Sequence, residues 1–136
     1  MGINHNKTLI LFDIDNTLIK SNNIFQLLVN PSILNNEDII PILSKLQQSY
    51  TLGIWSQGFI KIQLTKLKIA NLISYFNKDQ IWISHKKIDL LHKINSQNFQ
   101  KIYIIDDKDF SEYIEAYPKL EYVNEKYLSN LEQHLL

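Results

Sequence analysis

Leu9-Ile10-Leu11-Phe12-Asp13-Ile14-Asp15-Asn16-Thr17-Leu18 is the stretch that decides how this chain folds. An unbroken apolar run of this length, closed by a turn-forming Asp-Asn-Thr, reads as a β-strand buried on both faces. Side chains alternate along a strand, so Asp13 and Asp15 are expected to project to the same side at its carboxyl end. Two carboxylates that close, at the edge of an apolar run, are costly unless a cation meets them. A hard divalent ion such as Mg2+, which takes oxygen ligands and keeps water, suits such a pair.

Working outward, the same alternation of strand and helix recurs. Ile19 to Asn36 is polar and Asn-rich apart from Ile24-Phe25-Gln26-Leu27-Leu28-Val29, and reads as a flap or short helix. Pro41 suits the first position of a helix carrying Ile42, Leu43 and Leu46. Thr51 to Trp55 reads as a second strand, ended by Ser56-Gln57-Gly58, and Ile60 to Ile73 as a helix with Leu64, Leu67 and Ile69 on its apolar face. Gln80 to Ser84 is a third strand, and Lys87 to Ile94 a third helix. Lys101 to Ile105 is an apolar strand running into Asp106-Asp107. A short helix over Phe110 to Ala116, a weak strand over Leu120 to Val123 and a terminal helix from Glu125 complete the pattern. Short apolar strands alternating with helices predict an α/β fold, with a parallel sheet of about five strands covered on both faces. Ligands of such sheets bind at the carboxyl ends of the strands, where Asp13, Asp15, Ser56, Asp106 and Asp107 all fall.

Composition narrows the function classes. A chain of 136 residues fits one domain, 1–136, with no room for a large accessory unit. Fourteen Lys plus Arg balance fourteen Asp plus Glu, so nucleic acid is not favoured as a partner by overall charge. Without cysteine there is no disulfide framework, thiol nucleophile or zinc-thiolate site. Any nucleophile is therefore oxygen or nitrogen. The start, Met1 to Lys7, lacks a signal-peptide apolar core and no apolar stretch is long enough to cross a bilayer, which predicts a cytoplasmic location and no membrane partner. His5, His85, His92 and His134 show no metal-ligand spacing.

Taken singly, each motif has a plainer reading. Asp-x-Asp-x-Thr is commonly a turn or cap, Ser56 an N-cap of the helix after it, and Asp106-Asp107 a solvated loop. Together and in this order, the residues resemble the haloacid-dehalogenase-like (HAD) superfamily. The first motif is Asp13-Ile14-Asp15-Asn16-Thr17, the second Ser56 after Gly53-Ile54-Trp55, the third a lysine ahead of the third helix, and the fourth Asp106-Asp107. Leu72 to Phe76 is similar to the family's passage into its third strand.

The resemblance implies a three-layer α/β/α Rossmann-like domain and a Mg2+-dependent phosphatase. By this likeness Asp13 is the nucleophile that forms an aspartyl-phosphate, and Asp15 is the acid that protonates the leaving group and then the base that deprotonates water. Ser56 and the backbone of Asn16 donate to phosphoryl oxygens. Lys87, with Lys86 as the alternative, holds Asp13 and the phosphate. The metal falls to Asp13, the Asp15 carbonyl and Asp107 directly, and to Asp106 through water. The further carboxylate that many relatives carry has no counterpart at the usual spacing, Asp109 and Glu112 being the nearest acids. Asp15 favours phosphoryl transfer, because dehalogenating members lack it.

No insertion is large enough for a cap domain, so the resemblance is to minimal-cap members with open sites. It implies a phosphorylated substrate, either a small molecule or a protein or nucleic-acid phosphate, and leaves room for a homo-oligomer. A binding or regulatory module with little turnover is the reading from a different class.

Overall fold

The computed structural model describes residues 7–19 and 39–135. Its strands are β1 (Thr8–Phe12), β2 (Thr51–Gln57), β3 (Ile81–Ser84), β4 (Lys101–Asp106) and β5 (Leu120–Asn124). All neighbours pair parallel, in the order β3-β2-β1-β4-β5. The α-helices are α1 (Ile39–Gln47), α2 (Ile60–Ile69), α3 (Leu91–Asn95), α4 (Ser111–Ile114) and α5 (Leu131–Leu135). The predicted α/β class and five-stranded parallel sheet are both present.

The central strand explains its own sequence. Ile10 and Phe12 pack into one apolar cluster with Leu43, Leu46 and Leu131, while Leu9 and Leu11 enter another with Leu91, Ile94 and Ile114. Both faces of β1 are thus covered, which is why no polar residue interrupts it. Helix α1 buries Ile39, Leu43 and Leu46, one stripe at helical spacing. Full burial of each such side chain contributes about 1.5–3 kcal/mol. Gly53 in β2 is required by close approach: a Cβ there would collide with the Gln80 carbonyl and the Leu11 side chain.

Several predicted elements are shorter or differently wound. The helix from Ile60 stops at Ile69 rather than Ile73, followed by a 3-10 turn over Ile73–Tyr75. Asn71, at φ 60°, breaks it between the two. The helix expected from Lys87 opens as a 3-10 turn, Lys87–Leu90, before α3, and the terminal helix opens as a 3-10 turn, Glu125–Asn130, before α5. The flap or short helix expected over Ile19 to Asn36 lies, apart from Ile19, outside the described residues. Among the described residues, no helix is long and apolar enough to cross a membrane.

Topology fixes where a ligand site belongs. From β1 the chain moves outward through β2 to β3, then crosses back to place β4 on the other side of β1. The strand order therefore reverses between β1 and β4. In open α/β sheets the crevice beyond the carboxyl ends at such a reversal is the natural binding place.

Candidate active site

That crevice is a cleft of about 590 Å³ lined by Asp13, Asp15, Asn16, Gln57, Gly58, His85, Lys87, Asp107, Lys108 and Phe110. Asp13 directly follows β1, and its N–H donates to the Ile105 carbonyl of β4 at 3.0 Å, so its position is set by the sheet. Asp15 is placed by different means from those expected. The strand ends at Phe12, and residues 14–19 coil into a tight turn in which the Leu18 and Ile19 N–H groups donate to the Ile14 carbonyl at 3.1 and 3.0 Å. Asn16 takes φ 63° there, a conformation that asparagine tolerates better than most residues. Asp13 and Asp15 reach the same cleft because the chain turns, with the Ile14, Leu18 and Ile19 side chains buried beneath, and not because a strand alternates.

The turn also corrects one expectation. The Asn16 N–H, expected to serve a phosphoryl oxygen, donates instead to the Ile19 carbonyl at 2.7 Å and is spent within the turn.

Of the two adjacent lysines, Lys87 is the one that reaches the cleft carboxylates. Its side chain is 5% exposed, and Nζ lies 2.6 Å from Asp106 Oδ2 and 3.5 Å from Asp13 Oδ1. Lys86 is exposed. The Lys87 ammonium sits over the Trp55 ring at 4.3 Å and the Phe110 ring at 4.7 Å, and the Trp55 indole N–H donates to the Lys87 carbonyl at 2.8 Å. Two aromatic faces and two carboxylates hold this cation in a desolvated seat. Trp55 is wholly buried and belongs to the core, beneath the site.

Asp106 is inaccessible, its second oxygen accepting from the Lys108 N–H at 3.0 Å. Asp107 is more open and faces the cleft. One carboxylate oxygen from each of Asp13, Asp106 and Asp107 lies within 4.8 Å of the others, close enough to share an ion. Burial raises the Asp13 carboxyl above its ordinary value, opposed by Lys87 and by hydrogen bonds from the Ile14 N–H and the Ser56 side chain. Burial, then the charge of Asp13, pushes Asp106 up to about 7. Asp13 and Asp106 share the Lys87 ammonium and Asp107 stands beside them, an all-oxygen donor set that fits a hard divalent cation. Asp109 and Glu112 stand apart: Asp109 accepts from the Ser111 N–H and hydroxyl, which lowers its carboxyl, and Glu112 lies exposed in the first turn of α4.

Ser56, in β2, is fully buried. Its oxygen accepts from Gln63 Nε2 at 2.8 Å, and the same nitrogen donates to Asp15 Oδ2 at 3.2 Å. Lys66 Nζ lies 2.8 Å from Asp15 Oδ1. Gln63 and Lys66 went unnoticed in the sequence because α2 reads as an apolar helix. They stand three apart on one face, beside Leu67, and these are the three residues that α2 buries. Ile60, the first residue of the helix, is 56% exposed. The signal present was a glutamine and a lysine at i and i+3, just after the Ser56-Gln57-Gly58 turn. Gly58, at φ 142°, makes that turn, and a side chain there would press on Gln63.

No family model matches the chain and no curated protein does. Its structure is similar to a solved structure of a protein from Burkholderia xenovorans LB400 assigned as a haloacid dehalogenase-like hydrolase, with a TM-score of 0.70 over 88% of this chain and 84% of that one, at 15% sequence identity. With its parallel sheet, the order of its strands and the cleft at their reversal, this chain has the haloacid dehalogenase-like fold.

Proposed function

We propose that this chain is a HAD-superfamily hydrolase, a Mg2+-dependent phosphatase that hydrolyses phosphomonoesters through an aspartyl-phosphate on Asp13. One observation carries the reading: a carboxylate at the end of β1 is held against a buried lysine that is itself fixed by a second carboxylate at the end of β4. A phosphate monoester resists attack by anions, so its hydrolysis needs a placed nucleophile, a proton for the leaving oxygen and cations against the phosphoryl group. Each requirement has a candidate in this cleft.

In the first step an Asp13 oxygen attacks phosphorus, the new O–P bond forms as the ester P–O bond breaks, and Asp15 gives its proton to the departing oxygen. In the second, Asp15 takes a proton from water as that water attacks phosphorus, and the bond from phosphorus to Asp13 breaks, releasing inorganic phosphate. Lys87 holds Asp13 in place and faces the phosphoryl charge. Ser56 donates its hydroxyl to a phosphoryl oxygen. Asp13, Asp107, the Asp15 carbonyl and, through water, Asp106 would hold the metal, which supplies charge neutralisation at the phosphoryl oxygens. Asp15 supports phosphoryl transfer over dehalogenation, which needs no acid at that position.

Hydrolysis of 4-nitrophenyl phosphate and a panel of phosphorylated metabolites, with Mg2+ and with chelator, tests the reading in wild type and Asp13→Asn. The expected outcome is phosphate release that chelator abolishes and that the variant lowers by about a thousandfold or more. Release of equal size from both proteins would remove Asp13 as nucleophile.

A further inference from the structure

We propose that Lys66 and Gln63 are positioning residues for this reaction, Lys66 aiming Asp15 at the leaving-group oxygen and Gln63 aiming the Ser56 hydroxyl into the cleft. The inference rests on the phosphatase reading and adds to it two residues from α2, a helix that carries none of the four motifs.

A lysine and a glutamine at 4% and 2% exposure on a surface helix demand an explanation. Burying them is costly unless their polar ends are satisfied. Here both end on cleft residues. The Lys66 ammonium occupies one oxygen of Asp15 at 2.8 Å, which leaves Oδ2 as the oxygen able to exchange a proton with a bound ester. Gln63 approaches Oδ2 at 3.2 Å, a longer bond that a substrate oxygen can replace. The carboxylate accepts only, so the group facing it must be the Gln63 NH2. That NH2 also donates to Ser56 Oγ at 2.8 Å. With its oxygen accepting from Gln63, Ser56 has its single hydrogen left for the opposite side, and Asp13 receives it. A phosphoryl oxygen brought against Asp13 meets the same donor. The helix thus fixes the direction of one proton donor and the orientation of one acid with two side chains three residues apart.

A structural role would lower activity on every ester alike. A role in aiming Asp15 separates esters by how much their leaving oxygen needs a proton: a nitrophenolate departs almost unaided, whereas an alkoxide does not. The experiment compares kcat for 4-nitrophenyl phosphate and for glycerol phosphate in wild type, Lys66→Met, Lys66→Arg and Lys66→Gln, with folding checked by urea unfolding. Lys66→Met is expected to lose about a hundredfold on the glycerol ester and only a few-fold on the nitrophenyl ester, within the range general acid catalysis spans. Lys66→Arg should recover most of the loss, and Lys66→Gln, which keeps a donor, part of it. Gln63→Leu should raise KM for both esters through Ser56. An equal loss on the two esters would overturn the role of Lys66 while leaving the phosphatase reading intact. Wild-type inactivity toward both esters would remove that reading and this inference with it.

Discussion

Two buried lysines stand at the cleft, and they are held in opposite ways. Lys66 meets a single carboxylate, Asp15, whose side chain is 24% exposed and also accepts from Gln63. Lys87 is shared between Asp13 and Asp106, at 11% and 0% side-chain exposure, and lies against two aromatic rings. The α2 side of the cleft is therefore charge-balanced and hydrogen-bonded. The side between β1 and β4 carries surplus negative charge in a desolvated place. One half of the cleft has its polar groups paired with one another, and the other half brings together carboxylates that could hold a cation.

That difference is tested most severely by removing Lys87. Lys87→Met strands two desolvated carboxylates and is expected to cost about 3–5 kcal/mol of folding free energy, the usual consequence of breaking a buried charge cluster from one side. Lys66→Met leaves Asp15 its exposure to water and its bond from Gln63, so its cost should stay near 1 kcal/mol or below. Urea unfolding of the two variants beside wild type measures both. Equal losses would mean that the two lysines are not differently seated and would break the comparison.

A smaller effect sharpens it. Burial raises Asp13, and burial with the charge of Asp13 raises Asp106 to about 7. Between the ordinary carboxyl value of 3.8 and about 7 the folded chain binds more protons at these groups than the unfolded chain does. The cluster's contribution to stability is then largest in acid and declines as pH rises through that window. A divalent cation acts in the opposite sense, since it binds the ionised carboxylates. Millimolar Mg2+ should raise the melting temperature at pH 8 by several degrees and at pH 5 by much less, with the pH 8 shift equivalent to about 2–3 kcal/mol if the ion is near a hundredfold above its Kd. A shift of the same size at both pH values would argue that the ion sits away from Asp13 and Asp106.

The two lysines also differ in how far the sequence announces them. Lys87 lies between an apolar strand and the helix after it, where the chain must pass the carboxyl ends of the sheet, but the family resemblance rather than the alternation of elements points to a lysine there, with Lys86 as the alternative. Asp13, Asp106 and Ser56, each at or just beyond a strand end, are legible from the alternation itself. Lys66 and Gln63 sit in the middle of a helix, where position gives no hint of function. Periodicity assumes that apolar residues face inward, and α2 breaks that assumption by turning Gln63 and Lys66 to the site. The turn after β1 misled for a related reason. Alternation predicted that Asp13 and Asp15 share a side, but the turn after Phe12 is what brings them together, and the Asn16 N–H is consumed by a local bond to Ile19 that no pattern of side chains reports.

The first residue of α2 yields the smallest effect. Ile60 opens the helix, and were its side chain buried, replacing it with a charge would be strongly destabilising. In the structure it is 56% exposed at the first position of the helix, whose first turn contains no acidic residue. Ile60→Glu then places a carboxylate near four unpaired N–H groups at the positive end of the helix dipole, worth about 0.3–1 kcal/mol in favour of folding. Against this stands the loss of the isoleucine's partial packing, so the net change should fall within about 0.5 kcal/mol of zero, as for other exposed positions. A loss of several kcal/mol on urea unfolding would show Ile60 to be packed far more deeply than its 56% exposure indicates. A neutral or slightly stabilising result would agree with an exposed Ile60 at the start of a helix that buries Gln63, Lys66 and Leu67 further along.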